Sequence, residues 1–214
     1  MANFRALAAL LAYPESELIG ALPEIRDAMR RDGSLEELIS ELESKPLHAL
    51  QERYVELFDR SRALSLHLFE HVHGESRDRG QAMVDLARTY AGRGFEVAGN
   101  ELPDYLPAFL EFLSALPPTE AKGVLGETAD ILRVLGDRLA ERGSRYAAVF
   151  AALLAGGGEP GLTKRIAAHP LRSEESTPAA IDRAWVEEPV TFLGATAPAA
   201  GPQPVRFYAR GARP

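Results

Sequence analysis

The chain has 214 residues, with 24 Lys plus Arg against 31 Asp plus Glu, 46% hydrophobic residues and no cysteine. This is globular composition with enough apolar content for a core that needs no staple; without cysteine, thiolate nucleophiles, iron–sulfur clusters, thiolate zinc sites and disulfides are excluded. A formal net charge of −7 disfavours nucleic-acid binding and suits a positively charged partner.

In chain order, apolar residues recur every three or four positions: Leu7, Leu10, Leu11; Leu35, Leu38, Ile39, Leu42; then Leu47, Leu50, Tyr54, Leu57, Phe58. The period continues through Met83, Leu86, Ala87, Tyr90; Leu106, Phe109, Leu110, Leu113; Leu125, Leu132, Leu135, Leu139; and Tyr146, Val149, Phe150, Leu153. Such spacing predicts helices with one apolar face each, and no run alternates as a strand would. Ser34 with Glu37 has the form of a capping box, Pro46 and Pro103 stand near helix starts, Pro117-Pro118 marks a stop and Gly143-Ser144 a restart. Pro23 is expected to kink or split the helix that runs from Leu18 to Ile25. The expected fold is all-α, a single-domain bundle of about seven to nine helices over residues 1–156.

After Gly156-Gly157-Gly158 the composition changes: eight of the 15 prolines lie from Pro160 onward, where 7 bases meet 5 acids. Residues 157–214 are expected to form a Pro-rich, poorly ordered, flexible tail. Its last part, Val205-Arg206-Phe207-Tyr208-Ala209-Arg210-Gly211-Ala212-Arg213, is basic and aromatic as a target peptide is, and is expected to occupy the acidic groove of its own or a neighbouring chain. The first residues hold no basic stretch leading into a long apolar run, and no window approaches the ~18 apolar residues of a membrane span. A cytoplasmic protein without direct membrane insertion is expected.

His67-Leu68-Phe69-Glu70-His71 fits the H-x-x-E-H pattern, in which two His four apart hold zinc and the Glu activates water. The competing reading makes these His hydrogen-bonded structural or surface groups, and no bound metal is expected. Gly92-Arg93-Gly94 and Gly156-Gly157-Gly158 follow no strand, so neither reads as a phosphate cradle, and no G-x-S-x-G elbow is present. The polar stretch from Asp59 to Gln81 reads either as a solvated connector in which Ser76 or Asp78 caps the following helix, or as a fixed polar network or recognition surface beside apolar anchors. In Glu101-Leu102-Pro103-Asp104-Tyr105-Leu106-Pro107 the proline fixes the turn, while Glu101 and Asp104 place negative charge at the start of an apolar helix. Capping explains those carboxylates; an Arg or Lys from a partner would suit them equally.

At these two clusters the sequence resembles the nitrate reductase molybdenum-cofactor assembly chaperones, the delta-subunit family. The residues that carry the likeness are Tyr54 to Arg60, Ser65 to Met83, Glu101 to Pro107 with Leu110-Glu111-Phe112-Leu113 behind it, and Glu187-Glu188-Pro189-Val190-Thr191-Phe192. Tyr105 stands where the wider twin-arginine-signal chaperones usually have His. The resemblance implies an all-helical, non-catalytic chaperone without a cofactor of its own. It further implies binding of the N-terminal segment of the nitrate reductase catalytic (alpha) subunit, help with molybdenum-cofactor insertion, and holding of the unfinished enzyme off the membrane. A signal-peptide chaperone for another molybdoenzyme is the alternative among binding proteins, and an H-x-x-E-H zinc enzyme the alternative among catalysts.

An acidic body suits a basic amphipathic helix laid into a groove. The candidate peptide-binding residues are Tyr54, Phe58, Phe69, Glu70, Glu101, Asp104 and Tyr105, in which aromatic area and carboxylates adjoin. Arg60, His67, His71, His73, Arg77 and Arg79 are read as a structural polar network that orients those carboxylates. Oligomeric state is left open by the sequence.

Overall fold

In the computed structural model the described residues are 3–30, 33–74, 76–97, 99 and 101–166. The Pro-rich stretch from residue 167 on, with the basic end at 205–213 and the Glu187–Phe192 match, lies outside them. Ten α-helices occur among the described residues: α1 (Phe4–Leu11), α2 (Ser16–Ala28), α3 (Glu36–Ser44), α4 (Leu47–Tyr54), α5 (Leu68–His73), α6 (Asp78–Ala91), α7 (Leu106–Ala115), α8 (Pro118–Glu127), α9 (Ala129–Glu141) and α10 (Ala147–Gly157). The all-α bundle is as expected. It holds more helices than the apolar period suggested because α5 is too short to display one, and because the run from Leu125 to Leu139 is divided at Thr128, whose hydroxyl bonds back to the Leu125 carbonyl at 2.8 Å.

Local chemistry explains most boundaries. Asn3 Oδ1 accepts the Ala6 N–H and caps α1. Pro46 stands at the position before α4 with no side-chain cap, and Pro118 opens α8 directly after the break at Leu116 and Pro117. Ser34 lies in a 3₁₀ turn, Gly33–Leu35, that leads into α3. Of the kink or split expected at Pro23, the split does not occur: α2 continues through it. The ring removes one backbone donor, on the exposed side, while Leu18, Leu22 and Ile25 stay buried on the other and hold the helix together.

At the centre lies α10, whose Ala147, Val149, Phe150, Leu153 and Leu154 are all buried, as befits a helix apolar on every side. It packs on α9, α8 and α1, while α1 also packs on α7. Each buried Leu or Phe there contributes about 1.5–3 kcal/mol relative to exposure. Gly136 of α9 permits a close crossing: a Cβ built on it would stand 2.8 Å from Phe150 Cβ and would run into Leu162. Helix α10 ends where Gly158 takes φ +76° and Glu159 donates its N–H to the Leu154 carbonyl at 2.9 Å, the Schellman arrangement that glycine favours. Beyond it the chain lies along α9, where Asp137 Oδ1 accepts the N–H groups of Thr163 (2.8 Å) and Lys164 (2.9 Å).

Two regions depart from this regularity. After Tyr54, α4 widens into a π-helical turn, Val55–Asp59, in which the adjacent residues Leu57 and Phe58 are both buried; such turns occur frequently at functional sites. Helix α6 carries the expected apolar positions Met83, Leu86, Ala87 and Tyr90, yet only Tyr90 is buried, Ala87 is exposed and Val84 is 46% exposed. Tyr90 anchors that helix by stacking on Phe112 at 4.5 Å and donating its hydroxyl to the Pro103 carbonyl at 2.8 Å. No helix among the described residues is long and apolar enough to cross a membrane.

Candidate functional site

The site is built where two stretches distant in sequence meet. Leu68 donates its N–H to the Asp104 carbonyl (3.0 Å) and Leu106 donates to the Leu66 carbonyl (2.8 Å), pairing residues 66–68 antiparallel with 104–106. This short ladder delivers the Asp104 carboxylate to the start of α5. His67, the residue that precedes α5, supplies no side-chain cap; Asp104 Oδ2 takes that role by accepting the Phe69 N–H at 3.0 Å. Asp104 is fully buried, so the carboxylate expected to cap α7 or meet a partner instead caps α5 from across the fold. Tyr105 precedes α7, and no side chain caps that helix.

Around Asp104 the polar residues form a closed set. His67 Nδ1 stands 3.3 Å from Asp104 Oδ1, and Arg79 reaches from α6 to Glu70 at 3.3 Å and Asp104 at 3.9 Å. His71 Nε2 lies 2.8 Å from the Ser65 carbonyl, and the His73 ring meets Phe69 edge-on at 5.5 Å. The Asp104 carboxylate draws the His67 imidazole above its ordinary pKa, with Glu70 adding to the effect, while burial and Arg79 oppose it. Arg60 and Arg77 are exposed and make no side-chain bond to this set among the described residues. Ser76 Oγ accepts the Asp78 N–H at 3.1 Å from one residue ahead of Arg77, which holds the N-cap position of α6 without a side-chain cap. His67, Glu70 and His71 do not converge on one point, since each faces a different protein partner and His67 precedes the helix instead of sharing its face with His71. No group of three or more His, Asp or Glu among the described residues is arranged to hold a metal.

On the outer side of the same ladder lies a cavity of about 220 Å³ walled by the rings of Tyr54, Phe58, Tyr105 and Tyr13. His67 and Leu66 form part of its floor, and the exposed Asp59 and Glu101 stand at its edge. Tyr54 and Phe58 belong to the core, 4% and 5% exposed, and only their edges reach the opening. Tyr54 packs tilted on Phe58 at 4.9 Å and edge-on to Tyr13 at 5.5 Å; Tyr105 overlaps the His67 ring at 5.4 Å. The Tyr54 hydroxyl donates to the Leu11 carbonyl at 2.8 Å, so the 3.0 Å contact between the two phenols has Tyr105 as donor and Tyr54 as acceptor. Burial raises the pKa of both hydroxyls. The charges of Glu101 and Asp59 add to the effect at Tyr105.

Of the seven candidate residues, four line this cavity: Tyr54, Phe58, Glu101 and Tyr105. Phe69 and Glu70 lie on α5 and are engaged with His73 and Arg79, and Asp104 lies beneath the surface. The sequence reading missed Tyr13, which is 42% exposed and also borders a second cavity of about 550 Å³ with His48, Glu52, Glu56 and Arg60. A lone aromatic between α1 and α2, outside any apolar period, gives no local signal; only the fold brings it against Tyr54.

Among the described residues the chain is thus an all-helical body with an opening lined by aromatic and acidic side chains. Residues 19–152 match the nitrate reductase delta subunit family, and the chain belongs to that family, the molybdenum-cofactor assembly chaperones of nitrate reductase. It is 41% identical over 213 residues to the probable nitrate reductase molybdenum cofactor assembly chaperone NarW of Escherichia coli K12, covering 98% of this chain and 92% of that one. To the chaperone NarJ of the same organism it is 49% identical over 149 residues, 69% of this chain and 63% of NarJ. The probable NarJ of Bacillus subtilis is 34% identical over 159 residues, 72% of this chain and 86% of that one. The fold is similar to that of a crystal structure of a putative redox enzyme maturation protein from Archaeoglobus fulgidus, with a TM-score of 0.55 and 22% identity over 70% of this chain and 88% of that one.

Proposed function

We propose that the chain is a non-catalytic assembly chaperone that binds the N-terminal segment of the nitrate reductase catalytic subunit in the cytoplasm. While bound, it keeps that subunit receptive to molybdenum-cofactor insertion and away from the membrane. The observation that carries this reading is the opening between Tyr13, Tyr54 and Tyr105, which in a member of this family offers aromatic contact area and carboxylates together. Tyr13, shared by the two cavities, is the anchor over which an amphipathic helix lies, in the helix-in-groove mode. Asp104, with His67 and Arg79, acts from behind the opening: it holds the stretch that carries Tyr105 against the start of α5 that carries Phe69.

Titration calorimetry with the catalytic subunit's N-terminal peptide tests the reading. Tyr13→Ala is expected to weaken binding by about 1–2 kcal/mol while leaving the urea midpoint in place, because Tyr13 is exposed. A peptide from the start of another molybdoenzyme that binds more tightly than the nitrate reductase peptide would replace the proposed partner.

A further inference from the structure

The cavity beside Tyr105 has a chemical bias that its shape alone does not reveal, and the inference drawn from it rests on the chaperone reading for its occupant. Four aromatic residues line it, Tyr13, Tyr54, Phe58 and Tyr105. No Lys or Arg lines it, and Asp59 and Glu101 make no ion pair among the described residues. The phenol protons point inward along a relay from Tyr105 to Tyr54 to the Leu11 carbonyl. What remains for a guest is acceptor capacity: two carboxylates and the second lone pair of the Tyr105 oxygen. The negative field is felt inside, since Asp59 and Glu101 both push the Tyr105 hydroxyl toward its protonated form. At about 220 Å³ the space exceeds the ~30 Å³ share of a water several times over.

We propose that this cavity seats one alkylguanidinium group, the side chain of an arginine in the bound peptide, between the Tyr13, Phe58 and Tyr105 rings with its N–H groups directed at Glu101 and Asp59. A guanidinium meets every feature at once. It is planar and stacks on aromatic faces, it presents five donors and no acceptor, and it gives up water more readily than an ammonium. A neutral apolar side chain would fill the space but leave the carboxylates without a partner, and an acidic one would be repelled. The neighbouring cavity, which holds Arg60 and His48, lacks this bias.

The test uses the full chain, isotope-labelled, with two small probes: N-acetyl-arginine methylamide and its neutral isostere N-acetyl-citrulline methylamide. The arginine probe is expected to shift the signals of Tyr13, Asp59, Glu101 and Tyr105, and the citrulline probe to bind about tenfold more weakly. Glu101→Gln and Asp59→Asn, both at exposed positions, should each weaken the arginine probe several-fold without moving the urea midpoint, and the target peptide should displace it. Equal shifts from both probes, or shifts confined to the residues around His48 and Arg60, overturn the seat. A target peptide that binds without displacing a seated arginine probe would remove the chaperone reading's location and leave the seat standing. A peptide that keeps full affinity with every arginine replaced by citrulline would do the reverse.

Discussion

Asp104 shows how one side chain fixes several elements. Its carboxylate accepts from Phe69, faces His67 and neighbours Arg79, while its carbonyl accepts from Leu68, so α5, α6 and the entry to α7 share one buried acid. Asp104→Ala is expected to lower stability by about 2–3 kcal/mol, seen as a reduced urea midpoint, because it strands a buried donor and its charged neighbours. Asp104→Asn should lose less, since the amide oxygen can still accept from Phe69. His67 gives a pH signature. Its folded-state pKa lies above the ordinary value of about 6.5 because the Asp104 carboxylate favours the protonated ring. The extra stability is therefore fully present below about pH 6.5 and is lost as pH rises through the folded-state value. The stability difference between the wild type and His67→Gln should be larger at about pH 5.5 than at about pH 8.5; a difference that grows with pH would show that His67 is not held protonated by Asp104.

At the scale of elements, the close crossing of α9 and α10 is set by the absence of a side chain at Gly136. Gly136→Ala should destabilise by about 1–3 kcal/mol, because Phe150 Cβ is fixed to the α10 backbone and cannot retreat. Gly123→Ala, in α8 with no atom within 4 Å of the added methyl, should instead raise stability by about 0.4–1 kcal/mol. Urea denaturation of the two variants reads both signs in one series. These elements were legible in the sequence because a helix writes its buried face locally: Leu132, Leu135 and Leu139, or Leu7, Leu10 and Leu11, repeat within one segment and are all buried. The glycines after Leu154 and the prolines after Leu116 mark ends for equally local reasons. The ladder joining residues 66–68 to 104–106 was not legible, since Asp104 caps a helix 35 residues away in the chain and its own neighbourhood suggests a different one. The π-helical turn at Val55–Asp59 left no mark either, because Tyr54, Leu57 and Phe58 satisfy an ordinary helical period.

For the whole molecule, the parts carried by α1, α4, the π-helical turn and the turn before α7 matter together, since none of them alone encloses the opening. Four of the seven candidate residues could be gathered from sequence because aromatic and acidic groups cluster there; the burial of Asp104 and the exposure of Tyr13 follow only from packing. The central claim is that a partner's N-terminal peptide docks over Tyr13 and into the opening beside Tyr105. Its most direct measurement is amide chemical-shift mapping of the labelled chain titrated with the nitrate reductase catalytic subunit's N-terminal peptide. The account predicts perturbations gathered at Tyr13, residues 54–59 and residues 101–105, with α8 and the outward face of α9 unchanged. Perturbations centred on α8 and α9, or saturation of the peptide with no change at Tyr13 and Tyr105, would contradict it.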